Sequence, residues 1–172
     1  MLRKMKIGGN SMKYTLLLTL LLFLTACSKE AGVPTLVDPT PDQQLSDTQA
    51  GLTISILQDH YADAAPEFKT TLKNQSEISF EYGEYYHIEV WKENQWYIMT
   101  HSDSVFLENP KFTNQGKLLP AGDTVEQTFK TEILGVRLIP GEYRLVKIFQ
   151  KPQAPYYEVT LAVPFTIETG DL

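Results

Sequence analysis

The chain after Gly51 consists of short runs in which apolar and polar residues alternate. Leu52, Ile54 and Ile56 alternate with polar residues, and the same period of two recurs in later runs separated by turn residues. Such alternation is typical of strands that bury one face. No run keeps a helical period of 3.6 over the length of an ordinary helix. We therefore predict an all-β domain over residues 51–168, built as an antiparallel two-sheet β-sandwich, with a short tail at 169–172.

One predicted hairpin carries two tryptophans close to its tip. A strand that contains Trp91 precedes a turn over residues 93–95, and a second strand begins at Trp96. We take the turn to have three residues, so that Trp91 and Trp96 flank the tip.

Two segments interrupt the alternation. Residues 101–116 form the longest predicted loop, with a short strand near residues 105–107 as an alternative. Pro164, within the last run, predicts a break or a strand edge, because proline has no N–H to donate to a ladder.

The first 26 residues have the layout of a secretory signal peptide. A basic start precedes an apolar run, Leu16 to Leu24, which ends in Thr25-Ala26-Cys27. This ending resembles the lipobox of bacterial lipoproteins. The resemblance implies that the chain is cut between Ala26 and Cys27, and that the Cys27 thiol carries a diacylglycerol. Plain secretion with a chance cysteine and an uncleaved anchor are the alternatives. A start at Met5 or Met12 would leave the site at Cys27 unchanged.

Charge and cysteine content limit the partners of the mature chain. Removal of residues 1–26 leaves 146 residues with 11 basic and 21 acidic side chains, a net charge of −10. An acidic domain argues against nucleic acid and against electrostatic attachment to anionic lipid. We therefore expect attachment to the extracytoplasmic face of a membrane through the lipid anchor. Since Cys27 is the only cysteine, the fold has no disulfide to depend on.

The segment between the cysteine and the domain lacks a periodic apolar pattern. Residues 27–50 contain Pro34, Pro39 and Pro41 among scattered polar residues. We predict a disordered tether there, with an edge strand near residues 35–37 as the alternative.

A Pro-Gly pair lies just before a strand near the end of the chain. Tyr143 follows Pro140 and Gly141 at the start of that strand. This resembles the tyrosine corner of immunoglobulin and fibronectin type III sandwiches, in which the phenol bonds a backbone group a few residues upstream. The alternative is a plain turn followed by a core tyrosine.

Several segments together resemble a known family. They are Tyr-Gly-Glu-Tyr-Tyr-His-Ile-Glu at 82–89, Trp96, Leu-Pro-Ala-Gly-Asp at 119–123 and Leu-Ile-Pro-Gly-Glu-Tyr-Arg-Leu-Val-Lys at 138–147. Residues 51–168 are in this respect similar to the bacterial immunoglobulin-like domain found in lipoproteins of Bacillota. The resemblance implies the sandwich fold, and it brings no catalytic residue with it.

The sequence offers little chemistry. None of His60, His87 and His101 stands at metal-ligand spacing with another histidine or with the cysteine, and we take the acidic residues beside His60 to be part of a solvated loop. Phosphate-binding and nucleophile motifs are not found. We therefore expect no enzymatic activity, no metal and no cofactor.

Aromatic residues form the best binding candidate. Alternation places Tyr85, Trp91 and Tyr97 on the outside, with Tyr82, Tyr86 and Trp96 buried; the alternative is that all six pack in the core. The expected partner is a protein or an envelope glycan. Two functions remain open: an interaction module, or an accessory or sensory subunit of a membrane enzyme or receptor.

Overall fold

Two sheets pack face to face in the computed structural model, which describes residues 32–62, 64 and 66–169. The strands are β1 (Thr48–Gln49), β2 (Leu52–Ile56), β3 (His60–Tyr61), β4 (Glu67–Asn74), β5 (Phe80–Tyr82), β6 (His87–Lys92), β7 (Gln95–Ile98), β8 (Lys117–Leu119), β9 (Thr124–Lys130), β10 (Gly141–Gln150) and β11 (Glu158–Ile167). Two short helices, α1 (Ser104–Glu108) and α2 (Thr131–Leu134), complete the described elements.

The strand order confirms the predicted two-sheet sandwich. The first sheet has the order β1-β2-β4-β9. In the second sheet, β3, β11, β10, β6 and β7 lie side by side. Strand β5 pairs with the last residue of β10, Gln150, on the same edge as β6, and β8 pairs with β5. All pairs are antiparallel except β3 with β11.

The core lies between the sheets and follows from the period of two. In β4, Phe68, Thr70 and Leu72 are buried, whereas Lys69 and Lys73 between them are exposed. Full burial of a phenylalanine or leucine side chain contributes about 1.5–3 kcal/mol, so alternation over several strands is enough to fix which face turns inward.

Pro164 lies in β11 opposite Arg144, at a position that needs no N–H. The amides of Ala162 and Thr166, two residues to either side, point away from β10 and donate to Ser46 O at 2.9 Å and Asp59 O at 2.8 Å. Pro164 lies between these two residues, at a position whose N–H would also point away from β10, so its missing donor costs no hydrogen bond between β10 and β11.

The turn between β6 and β7 has two residues, so the predicted three-residue turn was wrong. Lys92 pairs with Gln95, and Glu93 and Asn94 between them have φ of 54° and 61°. Two such left-handed residues are typical of a type I′ hairpin. A slip of one residue inverts every later side chain of a strand, so the predicted faces of β7 were inverted as well.

One further prediction about local structure needs correction, and another agrees with the structure. The segment predicted as a loop or a strand near residues 105–107 forms the helix α1, with Val105 buried. The pair Gly83 and Glu84 predicts a break in the strand that begins near Phe80, and residues 83–86 do separate β5 from β6. Gly83 packs against the segment that contains Thr113, and an added Cβ would stand 1.9 Å from Thr113 O. This close approach explains why the position requires glycine and why the strand is interrupted there.

Residues 34–47, here called the N-terminal strap, lie against the second sheet. The strap first runs beside β7, where the amide of Leu36 donates to Ile98 O and that of Thr40 donates to Trp96 O, both at 2.9 Å. It then crosses the outer face of the sheet to the bond between Ser46 O and the Ala162 amide. The predicted disordered tether was therefore wrong for residues 34–50, and the alternative of an edge near 35–37 is closer. Residues 27–31 lie outside the described residues.

A buried ion pair fixes the strap to the sheet. Arg144 Nε donates to Glu89 Oε2 at 2.6 Å, and both side chains are almost fully buried. The rest of the guanidinium donates to strap carbonyls, Nη2 to Asp42 O at 2.6 Å and Nη1 to Gln43 O at 3.3 Å. The guanidinium also packs over the Trp96 ring, with Arg144 Cζ 4.6 Å from the ring centroid. Because Nε, Nη1 and Nη2 of Arg144 all donate to acceptors, the ion pair can offset the free-energy cost of removing both charges from water.

We expect Arg144→Met to lower the free energy of unfolding by about 3–5 kcal/mol, because it removes the guanidinium from the buried Glu89 carboxylate and leaves only the His87 ring, with Nε2 3.1 Å from Oε1, as a side-chain partner. The double variant Arg144→Met/Glu89→Leu should recover much of that loss. Urea unfolding at equilibrium measures both.

Lys130→Met is the matched control, since Lys130 pairs with Glu67 at the surface with both side chains about half exposed. Such exposed pairs contribute about 0–1 kcal/mol. A loss in Arg144→Met no larger than in Lys130→Met would contradict the role given to the buried pair.

Candidate functional site

Two of the predicted site residues, Ala26 and Cys27, lie outside the described residues. Signal cleavage and lipidation there stay predictions.

The predicted aromatic surface of Tyr85, Trp91 and Tyr97 is not formed as expected. Tyr97 was predicted outside, but it lies opposite Val90 on the core face and is 7% exposed. Trp91 is on the outer face, 37% exposed, with its ring against Trp96. Tyr97 and Trp91 thus lie on opposite faces of one hairpin, as the two-residue turn requires.

Tyr85 belongs to a different group of rings. Its ring centroid lies 5.2 Å from that of Phe112 and 6.5 Å from that of Phe106, with which it stacks. Its amide donates to Thr113 O at 2.9 Å. Tyr85 therefore holds the segment around α1 against the second sheet and is only partly accessible.

The residues around Pro140 form a structural corner. The Tyr143 hydroxyl donates to Ile139 O at 2.7 Å and accepts from the Ile139 amide at 3.2 Å, so it closes a loop across Pro140 and Gly141. The Tyr143 ring is buried and stacks on Phe165 at 5.5 Å. These contacts fix the entry into β10.

A concave site lies between the chain that follows α1 and the strand β9. This site, here called the aromatic pocket, has a volume of about 390 Å³. Tyr86, Phe112 and Phe129 line it, with ring centroids of Tyr86 5.4 Å from Phe112 and 4.8 Å from Phe129. Its charged lining residues are Glu84, Glu108 and Lys111. Largely apolar walls with a few charged groups are typical of binding pockets.

Exposed apolar side chains lie beside the pocket on α1. Leu107 is 84% exposed, and Phe106 is 46% exposed with its ring 5.8 Å from that of Phe112. Sequence reasoning missed this site because residues 101–116 lack alternation, and only the fold brings Phe112 next to Tyr86 and Phe129. The apolar residues within a predicted loop were the one available signal.

A buried lysine supports one wall of the pocket. Lys147 is fully buried, and its Nζ donates to Gly83 O at 2.5 Å and to Tyr85 O at 2.7 Å. Burial lowers the Lys147 pKa to about 7, although the nearby Glu84 carboxylate opposes this shift. The lysine thus holds the backbone of residues 83–86, from which Glu84 and Tyr86 project into the pocket.

Glu84 is held in place by polar neighbours. Its Oε2 accepts from Gln127 Nε2 at 3.0 Å, and its Oε1 pairs with Lys117. Burial raises the Glu84 pKa, but the hydrogen bonds from Lys117 and Gln127 outweigh burial and lower it overall. The pocket therefore carries an ionised carboxylate at neutral pH.

In residues 32–62, 64 and 66–169, no three His, Cys, Asp or Glu side chains are grouped so that they could hold a metal ion. Over the same part of the chain, no helix combines the length and the apolar character needed to cross a membrane.

The Lys147 pKa makes stability depend on pH. The pKa is about 7 in the folded protein against 10.5 ordinarily, so the unfolded chain binds more protons between these values. The free energy of unfolding therefore rises with pH in that window, by up to about 1.4 kcal/mol per pH unit, and this contribution is lost as the pH falls through 7. We expect urea unfolding between about pH 7.5 and 9.5 to show this rise in the wild type and not in Lys147→Met.

The exposed Lys130→Met is the control and should keep the rise. Above pH 10 the trend should reverse, because burial raises the pKa of Tyr61 to about 12 and raises that of Tyr86 as well, so the unfolded tyrosines ionise first. Equal pH dependence in Lys147→Met and Lys130→Met would contradict the assignment.

Comparison with known proteins agrees with this architecture. A family model described as a bacterial Ig-like domain matches residues 48–166, which is more than half of the chain. The comparison with curated proteins found no match to the chain. The matched residues run from β1 almost to the end of β11, so they include both sheets, the corner and the aromatic pocket. The chain belongs to the family of bacterial Ig-like domains.

Proposed function

We propose that this protein is a lipid-anchored, extracytoplasmic interaction module without catalytic activity, and that the aromatic pocket and the α1 helix beside it are its contact surface. The observation that carries the proposal is an Ig-like sandwich with a pocket of about 390 Å³ next to exposed apolar side chains. Its partner is a protein or an envelope glycan, since aromatic walls with a few polar groups suit both.

The proposed anchor rests on the sequence before the domain. Leu24-Thr25-Ala26-Cys27 follows a basic start and an apolar run, and the only cysteine stands at the position that a lipobox requires. Two acyl chains hold a protein on a membrane where one chain binds only transiently. The net charge of −10 after residue 26 gives the mature chain no electrostatic reason to bind an anionic surface, so the lipid provides the attachment.

The proposed contact surface rests on exposure. Leu107 turns 84% of its surface to solvent in a helix of five residues, where it adds nothing to the core. Beside it, Phe106 and the pocket offer a continuous apolar area with Glu108 and Lys111 at the side. An accessory or sensory subunit of a membrane enzyme or receptor would use the same surface, and the identity of the partner distinguishes the two functions.

We expect Cys27→Ala to abolish lipid attachment, because the thiol is the atom that is acylated. The wild type should enter the detergent phase on Triton X-114 separation and accumulate as an uncleaved precursor in globomycin. Cys27→Ala should remain uncleaved by the lipoprotein signal peptidase and carry no lipid.

Ser28→Ala is the matched control, and it should be processed and lipidated like the wild type. If Cys27→Ala and globomycin left both processing and membrane retention unchanged, the proposed anchor would be wrong.

We expect a photo-crosslinking amino acid at Leu107 to capture a partner in intact cells. The control is the same amino acid at Leu57, which is 80% exposed and follows β2 of the other sheet. An adduct at position 107 that is missing at 57 supports the contact surface, and a stoichiometric membrane enzyme or receptor in it favours the accessory subunit. Equal adducts at both positions, or none, contradict the proposed surface.

A further inference from the structure

The direction of the N-terminal strap determines towards which end of the sandwich the described chain runs when it is followed back to Pro34. Thr35 pairs with Met99 in antiparallel orientation, and β7 in turn is antiparallel to β6, which is antiparallel to β10. The strap therefore runs opposite to β10. Going from residue 36 back to residue 34, the chain heads for the end of the sandwich where β10 finishes. We call this end the hairpin pole, because the β10–β11 hairpin (residues 151–157) lies there.

The level at which the strap begins follows from the same registers. The Thr100 amide donates to Pro34 O at 3.0 Å, and the preceding Met99 amide donates to Ile88 O. Ile88 lies opposite Leu145, and His87 lies opposite Val146. Pro34 is thus close to the level of Val146, four residues before the end of β10. At about 3.4 Å per residue, the hairpin begins about 14 Å beyond Pro34.

The chain between the proposed anchor and the strap is short. Cys27 and Pro34 are seven residues apart in the sequence. At 3.3–3.6 Å per residue the distance between them cannot exceed about 25 Å, whatever conformation the intervening residues adopt. These seven residues are about a third of the 23 residues that separate Cys27 from Ala50, where the predicted tether ended. Once the hairpin has taken up about 14 Å of that reach, about 10 Å remains between it and the membrane surface.

The side chains at the hairpin pole suit a lipid surface. Tyr156 is 77% exposed and Tyr157 is 41% exposed. Tyr157 is held from behind by Phe80, with ring centroids 6.1 Å apart, and by Lys151, whose Nζ lies 5.7 Å from its ring centroid. Tyrosine combines an apolar ring with a polar tip and is enriched at the interface between headgroups and acyl chains.

We propose that the β10–β11 hairpin is a second membrane contact, and that the Tyr156 ring lies in the headgroup layer of the membrane that carries the lipid anchor. This inference rests on the proposed lipidation of Cys27. The partner is the lipid surface itself, and zwitterionic lipid is sufficient because the domain is acidic. The contact orients the sandwich upright, with the β6–β7 turn at the end away from the membrane.

The test uses the full, lipidated chain with Tyr156→Cys. Since Cys27 is the only native cysteine and its thiol would be acylated, the new cysteine can be labelled alone with the environment-sensitive dye NBD. The matched control is Gln95→Cys, an exposed residue next to the turn at the opposite end. Both proteins are reconstituted into phosphatidylcholine vesicles with and without doxyl-labelled lipid.

We expect the emission of the dye at position 156 to shift to shorter wavelength on reconstitution and to be quenched by the doxyl lipid, while the dye at position 95 shows neither change. If the protein floats with the vesicles but the two positions behave alike, the hairpin contact is wrong and the anchor stands. If the wild type does not float, or if its Cys27 reacts with maleimide, the proposed anchor fails and the inference fails with it.

Discussion

The ion pair between Arg144 and Glu89 is the interaction on which the rest of the molecule depends. It lies on the outer face of the second sheet, where an antiparallel sheet ordinarily meets water. The guanidinium binds two carbonyls of the N-terminal strap, so the strap covers the pair and the pair in turn fixes the strap. Each half of this arrangement would be unfavourable alone: an uncovered pair is worth little, and a covered charge without its partner is costly.

The covered outer face explains why β10 is buried on both sides. Tyr143 and Leu145 point into the core between the sheets, whereas Arg144 and Val146 are buried beneath the strap. A central strand with both faces buried is the rigid element from which the corner, the β10–β11 hairpin and Lys147 are all positioned. The strap also fixes the position of Pro34, which is seven residues from the proposed anchor in the sequence.

The aromatic pocket depends on a second buried basic side chain, Lys147. Lys147 holds the carbonyls of Gly83 and Tyr85, and this interruption between β5 and β6 turns Tyr86 towards Phe129. A buried amine with a pKa of about 7 makes the support sensitive to pH, although the pocket itself is lined by rings. Both basic side chains have backbone carbonyls and aromatic rings as their neighbours in place of water.

The sequence by itself determined the strands whose burial is one-sided. In β4 and β9 alternation was sufficient, because a period of two leaves each side chain only one inward face. Local patterns were also sufficient for the tyrosine at the Pro-Gly corner, whose partner is four residues away. Tertiary structure decided the remainder, because the partners are distant: Gln43 and Arg144 are about a hundred residues apart, and Phe112 meets Tyr86 only through the fold. The face on which Tyr97 lies depended on whether the turn before β7 has two or three residues. The residue types in the turn do not settle that number, whereas the hydrogen-bond register between β6 and β7 does.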